Sequence, residues 1–286
     1  MSVDDRLLYE SRVRVRQTTV AVLAAVLLVV AALIQVTGPH AKVNELTLDL
    51  ITVHKRFPRD VIGAAINAGG LFALAGTLTY LYEAARARNP QLQSVIRMLP
   101  IVGGVLAGVA GFAYAILIAV KANHFATTGS QTYQEANHIT SSAGILILQL
   151  GGQLGALLLA IGFVLVSLAA MRVGLLSKFM GYLGIFAGIL VLFQITPVPV
   201  VQAYWLLALA YLISGRWPTG VPPAWRSGRA EPWPSSAALR QQRAAAQAAA
   251  GGRTKPTPAP APQPVGASAG SARSSDASKR KRKRRR

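Results

Sequence analysis

The residues of this 286-residue chain best suited to chemistry are its four histidines, His40, His54, His124 and His138, together with Glu135. Glu135 and His138 stand three apart, so on a helix they share a face, and His124 lies in the same connection between two apolar segments. Two imidazoles and a carboxylate are ligands for zinc or another divalent cation. The spacing lacks two histidines one turn apart or any other recognised metal signature. Ordinary polar loop residues are therefore the favoured explanation, and no metal or cofactor is assigned. The absence of cysteine excludes thiol nucleophiles, thiolate metal sites and disulfides.

A second set of groups is amide-bearing and lies inside apolar segments: Asn67, Gln149, Gln153, Gln194 and Gln202. Their ordinary role is hydrogen bonding between membrane helices, and their alternative role is contact with a substrate. No Asp, Glu, Lys, Arg or His accompanies them at membrane depth; Glu83 and Lys121 sit at the margins, where snorkelling is cheap. Proton relays, ion pumps and voltage sensors keep such groups inside the bilayer, so the chain lacks their signature. A carrier of a neutral or lipidic molecule predicts one polar cavity joining Asn67, Gln149, Gln153 and Gln202. A membrane enzyme predicts convergence of His124, Glu135 and His138. A scaffold predicts neither.

The third feature is a run of eight basic residues, Lys279, Arg280, Lys281, Arg282, Lys283, Arg284, Arg285 and Arg286. From Arg216 onward there are 16 basic and two acidic residues, a net +14 of the chain's +20. Such a run attracts anionic lipid headgroups by about 1 kcal/mol per residue near a membrane surface. It also suits salt-sensitive phosphate contacts with RNA, as in docking to a ribosome, without base readout. No aromatic residues interleave it, so stacking on single-stranded bases is not indicated. A solvated tail that only enforces orientation is the plain alternative.

These groups must be positioned by apolar helices. With 52% hydrophobic and 14% charged residues, the chain is too apolar for a soluble domain of its length. Six stretches suit a hydrocarbon layer of roughly 30 Å: Thr18 to Val36, Val61 to Tyr82, Ile101 to Val120, Ser142 to Ala169, Phe179 to Ile195 and Val200 to Ser214. The last two are short and joined by Thr196-Pro197-Val198-Pro199, a turn in which prolines resist helix continuation. The expected fold is an all-α polytopic bundle of about six transmembrane helices. Its organisation is an amino-terminal segment 1–16, a membrane domain 17–215 and a disordered basic tail 216–286, rich in Pro, Ala, Ser and Gly. Within the tail, 235–250 suits a short alanine-rich helix.

Arg6, Arg12, Arg14 and Arg16, then Arg86, Arg88 and Arg97, then Arg172 and Lys178 flank alternate span ends. The positive-inside bias places them, and both termini, in the cytoplasm of a cell-membrane protein. Lys42, Lys55, Arg56, Arg59 and Lys121 oppose that bias. The first span is longer than a signal-peptide core, roughly 7–15 residues, and serves as a signal anchor. Glycines at four-residue spacing, Gly104 with Gly108 and then Gly111, Gly151 with Gly155, and Gly184 with Gly188, let helices approach closely within one chain. In the first outer connection Val43, Leu46, Leu50, Val53 and Phe57 recur at helical steps behind a capping Asn44. That pattern predicts an interfacial amphipathic helix, with a short strand over Leu48 to Val53 as second choice.

From Met171 the wording MRVGLLSKFMGYLGIFAGIL, then TPVPVVQAYWLLALAYLISGRWP and PPAW, resembles the carboxyl-terminal half of uncharacterised actinobacterial multipass membrane proteins. The resemblance implies a shared six-helix fold and offers no catalytic residues. The residues thus favour a non-enzymatic structural or accessory membrane protein whose tail contacts anionic lipid. A carrier, an RNA- or ribosome-docking factor and a histidine-based enzyme are the alternatives.

Overall fold

A backbone amide in hydrocarbon can bond only within its own segment, so long apolar runs close their hydrogen bonds as helices. The computed structural model describes residues 3–38, 45–193, 198–217, 222–231, 233, 240–241 and 244–247. Among these the regular structure is all helical, with no strand. The elements are α1 (Val3–Val36), α2 (Leu46–Lys55), α3 (Arg59–Arg88), α4 (Val95–Thr127), α5 (Tyr133–Thr140), α6 (Ala143–Arg172), α7 (Lys178–Phe193), α8 (Val200–Ile213) and α9 (Pro223–Ser227). Among the described residues, α1, α3, α4 and α6 are the helices long and apolar enough to cross a membrane. At 16 and 14 residues, α7 and α8 rise about 24 and 21 Å, short of a layer of roughly 30 Å.

The six apolar helices pack in the order α1, α3, α4, α6, α7, α8, and α8 returns to α1. They form a closed ring, which α3 and α6 also touch across. One end of the ring, here the near end, gathers the starts of α1, α4 and α7 and the ends of α3, α6 and α8; the far end gathers the opposite termini. Glycine spacing builds the tightest seam, between α4 and α6. A Cβ on Gly155 would lie 2.8 Å from the Ala107 Cα, and one on Gly103 would lie 2.8 Å from the Leu159 Cα. Gly104 and Gly108 admit Ala75 and Phe72 of α3 in the same way, and Gly188 admits Phe163. Pro100 sits inside α4, where Gly162 of α6 leaves room for its ring.

At the far end α2 and α5 cap the ring, with Leu50, Ala122, Phe125, Ala136, Ile139 and Ile145 buried together. The amphipathic segment is a helix, not a strand, and its stripe packs on α4 and α5 through Leu50, Leu46 and Val53. Phe57 is exposed, while Val43 and Asn44 lie outside the described residues; the N-cap position belongs to Glu45.

Two expected boundaries move. Residues 1–16 were expected as a separate segment, but α1 begins at Val3 and is unbroken through them, since no Gly or Pro interrupts the run and Glu10 is held by α3. The tail was expected from 216, but the compact helical unit continues to Trp233. Gly174, with φ 81°, ends α6 in a left-handed turn that an L side chain resists. The buried residues Leu175 and Leu176 follow it, and the segment after α8 folds onto this corner: Trp225 Nε1 donates to Leu175 O at 3.1 Å and Glu231 N to Val173 O at 3.3 Å. A second unit comprises Pro234–Arg286, in which residues 240–241 and 244–247 are helical.

Candidate functional site: a cavity inside the helix ring

Toward the far end the ring is not filled. A cavity of about 610 Å³ lies there, lined by residues from all six ring helices, within the roughly 300–1,000 Å³ of small-molecule sites. α1 contributes Leu28, Ala32, Gln35 and Val36, and α3 contributes Asn67, Leu71 and Leu74. Ala107 and Gly111 of α4 and Gly152, Ala156 and Leu159 of α6 line it beside the seam between those helices, and Leu190 and Val191 of α7 close the wall with Gln202 of α8 and its N-cap residue Pro199.

Leu28, Leu74, Leu159 and Gln202 are the lining residues of their helices nearest the near end, and all four are buried. They make the floor. Below it the bundle is solid: Phe163 and Trp205 meet edge to face at 4.6 Å, and Trp205 Nε1 donates to Met180 O at 3.0 Å. Gln202 donates one amide proton to Ala187 O at 3.2 Å, which fixes its carboxamide at the floor. A carboxamide carries two donor hydrogens and an acceptor oxygen, so hydrogen-bonding capacity remains for an occupant. Gln35 and Asn67 add two more carboxamides toward the mouth. Among the described residues no ionisable side chain lines the cavity.

Gly111 and Gly152 give the cavity part of its volume. A Cβ on either would meet nothing within 4 Å, unlike the seam glycines. Gly111 therefore does not join Gly104 and Gly108 in helix packing. Of the amides that a carrier was expected to bring together, Asn67 and Gln202 line the cavity, whereas Gln149 and Gln153 are exposed and do not line it. Positions 149 and 153 continue the stripe of Ala160, Phe163 and Ser167 on which Gly188 and Gly184 of α7 pack, beyond Phe193, where α7 ends. Gln194 lies outside the described residues. Gln35 was missed because it falls at the end of its span, where a polar residue passes for a boundary.

The near end is closed by a different device. Arg88, whose side chain is fully buried, donates to both Glu10 oxygens, to Ala84 O and, through Nε, to Ala224 O at 2.9 Å. Its guanidinium lies 5.2 Å from the centre of the Trp225 ring, which stacks on Tyr80 at 6.2 Å. The void left there is about 10 Å³, at the lower limit for one water. Thus one acid and one base are buried in the helix ends, just beyond the spans drawn from hydropathy.

The far-end histidines do not form a metal centre. Among the described residues no group of three or more His, Asp or Glu is placed to hold an ion, and His40 lies outside them. Glu135 instead serves the start of α5. Its carboxylate accepts from Ser130 Oγ at 2.9 Å and Gln131 N at 3.1 Å, while its own N–H donates to the Thr132 hydroxyl, a variant of the capping box. His124 and His138 are exposed. The basic run Lys279 to Arg286 lies outside the described residues. No protein-family model, curated protein or solved structure matches the chain.

Proposed function

We propose that this chain is a six-helix cell-membrane protein that binds, and as a carrier moves, a neutral and mainly apolar amphiphile. The reading rests on one observation: a cavity of about 610 Å³ that every ring helix lines, whose described lining residues include three carboxamides and no charged group. Apolar walls with a few placed polar groups suit a ligand having a long hydrocarbon part and one hydrogen-bonding end. A charged ligand would find no counter-ion among the described lining residues and would lose its hydration. With both termini cytoplasmic, the cavity faces the outer side and the Glu10–Arg88–Trp225 closure the cytoplasm. α7 and α8 complete the six spans by local thinning of the bilayer.

The test uses substitutions that fill the cavity without touching a neighbouring helix. Gly152→Phe and Gly111→Phe each place a ring where a Cβ meets open space. A fluorescently labelled monoacylglycerol should bind wild-type protein saturably, and at least tenfold more weakly to either variant, with thermal stability unchanged. Identical, non-saturating partition into wild type and both variants would end the proposal.

A scaffold or accessory protein whose tail contacts anionic lipid is the second reading, favoured by the unbroken basic run Lys279 to Arg286. Removing 279–286 should then abolish added binding to vesicles containing phosphatidylglycerol. If instead the intact chain, but not the truncated one, sediments with ribosomes at low salt, the tail's partner is RNA.

A further inference from the structure

We propose that a furrow on the outer side of the ring, between α1 and α4 and floored by α3, binds one anionic glycerophospholipid of the leaflet at the near end. The furrow encloses about 480 Å³. In the ring α3 stands between α1 and α4, and the face it turns to the furrow is not the one that lines the cavity. Asn67, Leu71 and Leu74 line the cavity. Phe72, Gly76 and Glu83 recur at steps of four and seven on another face of α3, and all three are exposed. Gly76 makes the trough, since a Cβ there would meet nothing within 4 Å. Val20 of α1 and Val105 of α4 form its banks.

Polarity changes along the furrow as it does along a lipid. From Phe72 to Glu83 the helix rises about 16 Å, about half of a hydrocarbon layer of roughly 30 Å, so the furrow seats an acyl chain of one leaflet. Its polar groups, Arg16, Gln17, Thr79 and Glu83, gather toward the near end, where the uncharged runs of α1 and α3 stop. Charge then selects the headgroup. The Glu83 carboxylate already accepts Arg97 Nη2 at 3.1 Å, so an ammonium headgroup finds no free anion. The Arg16 side chain is exposed and makes no hydrogen bond or ion pair with another described residue. Arg12, one turn before Arg16, and Arg86, three residues beyond Glu83, add positive charge on the same helix faces. A phosphodiester suits the guanidinium fork, while Gln17 and Thr79 offer uncharged hydrogen bonds to the glycerol part. The site stands whether or not the cavity binds an amphiphile.

The test uses full-length protein in phosphatidylcholine vesicles and a phosphatidylglycerol that carries a photoreactive diazirine midway along one acyl chain. Illumination should label α3 and α4 around Phe72 and Val105, as read by peptide mass spectrometry, a position that headgroup contact with the basic tail does not dictate. Unlabelled phosphatidylglycerol should compete the label away, whereas the same amount of phosphatidylcholine or of inorganic phosphate should not. Arg16→Gln should reduce labelling about fivefold, the effect of one basic residue at an anionic surface, and Arg16→Lys should keep most of it. Gly76→Leu, which fills the trough, should reduce it at least tenfold; a thermal melt confirms that each variant is folded. The cavity-filling Gly152→Phe should leave labelling unchanged, which separates this site from the cavity. Labelling spread evenly over all six ring helices, indifference to Arg16→Gln and Gly76→Leu, or equal competition by phosphatidylcholine or phosphate would overturn the proposal.

Discussion

Arg88 grips Glu10 through two parallel hydrogen bonds, Nη1 to Oε1 at 2.8 Å and Nη2 to Oε2 at 2.9 Å, across 78 residues of sequence. The pair joins the start of α1 to the end of α3, and Arg88 Nε also donates to Ala224 O. It shuts the near end of a bundle whose far end is hollow.

Removing one member of this pair leaves the other buried and unpaired, which costs about 3–5 kcal/mol. Glu10→Leu should therefore lower the melting temperature of detergent-solubilised protein by roughly 10 °C, at about 2–4 °C per kcal/mol for a chain of this size. Glu10→Leu with Arg88→Leu should recover much of that loss. A single substitution with no effect on the melt would show that the pair contributes nothing.

Trp225 covers this pair and is anchored by its indole N–H to Leu175 O. Arg226 and Arg229 are exposed beside it, yet the backbone is held by the α9 turn and by Glu231 N on Val173 O. Trp225→Ala should free that backbone, so trypsin should cut after Arg226 at least tenfold faster, as seen in the appearance of a fragment ending there. Unchanged cleavage would mean that the segment is held by something other than the tryptophan.

Hydropathy alone placed all six apolar helices, because span length and uncharged runs are properties of single segments. It did not reveal which face each helix turns inward. Asn67 and Gln149 look alike in sequence, yet one lines the cavity and the other does not, since which groups meet is set by neighbouring helices. Gly111 and Gly152 repeat the spacing of packing glycines, and only the ring shows that nothing fills the space beside them. The Glu10–Arg88 pair escaped notice for a related reason. Charged residues at span margins usually reach water, and burial here needs α9, whose sequence carries no core-forming pattern of its own.

The two kinds of glycine on α6 separate in a stability measurement. Gly155 has the Ala107 backbone against it, whereas Gly152 has open space. Gly155→Leu overpacks a seam made of backbone, beyond the roughly 1–3 kcal/mol typical of side-chain overpacking, and should yield unfolded or aggregated protein on size-exclusion chromatography. Gly152→Leu should elute and melt as wild type. Reversal of the two outcomes would place the α4–α6 seam elsewhere.

Arg56 and Arg59 run against the positive-inside bias, and the end of α1 explains their presence. Arg56 Nη2 donates to Gln35 O at 2.7 Å and Arg59 Nε to Ile34 O at 3.0 Å, while Arg59 also donates to the Thr37 hydroxyl. The last carbonyls of a helix have no partner of their own, and positive charge there also meets the negative end of the helix dipole. Hydrogen bonds from a charged donor contribute roughly 1.5–3 kcal/mol. Arg59→Ala should therefore lower the melting temperature by several degrees and speed amide exchange at Thr37, whose N–H bonds to Leu33 O. Arg59→Lys, which keeps the charge but loses the fork, should fall between. Because these charges oppose the bias that keeps the amino terminus inside, Arg56→Ala with Arg59→Ala should leave the topology unchanged in a reporter-fusion assay even as stability falls. An inverted chain in that assay would show that the two arginines set orientation instead of capping α1.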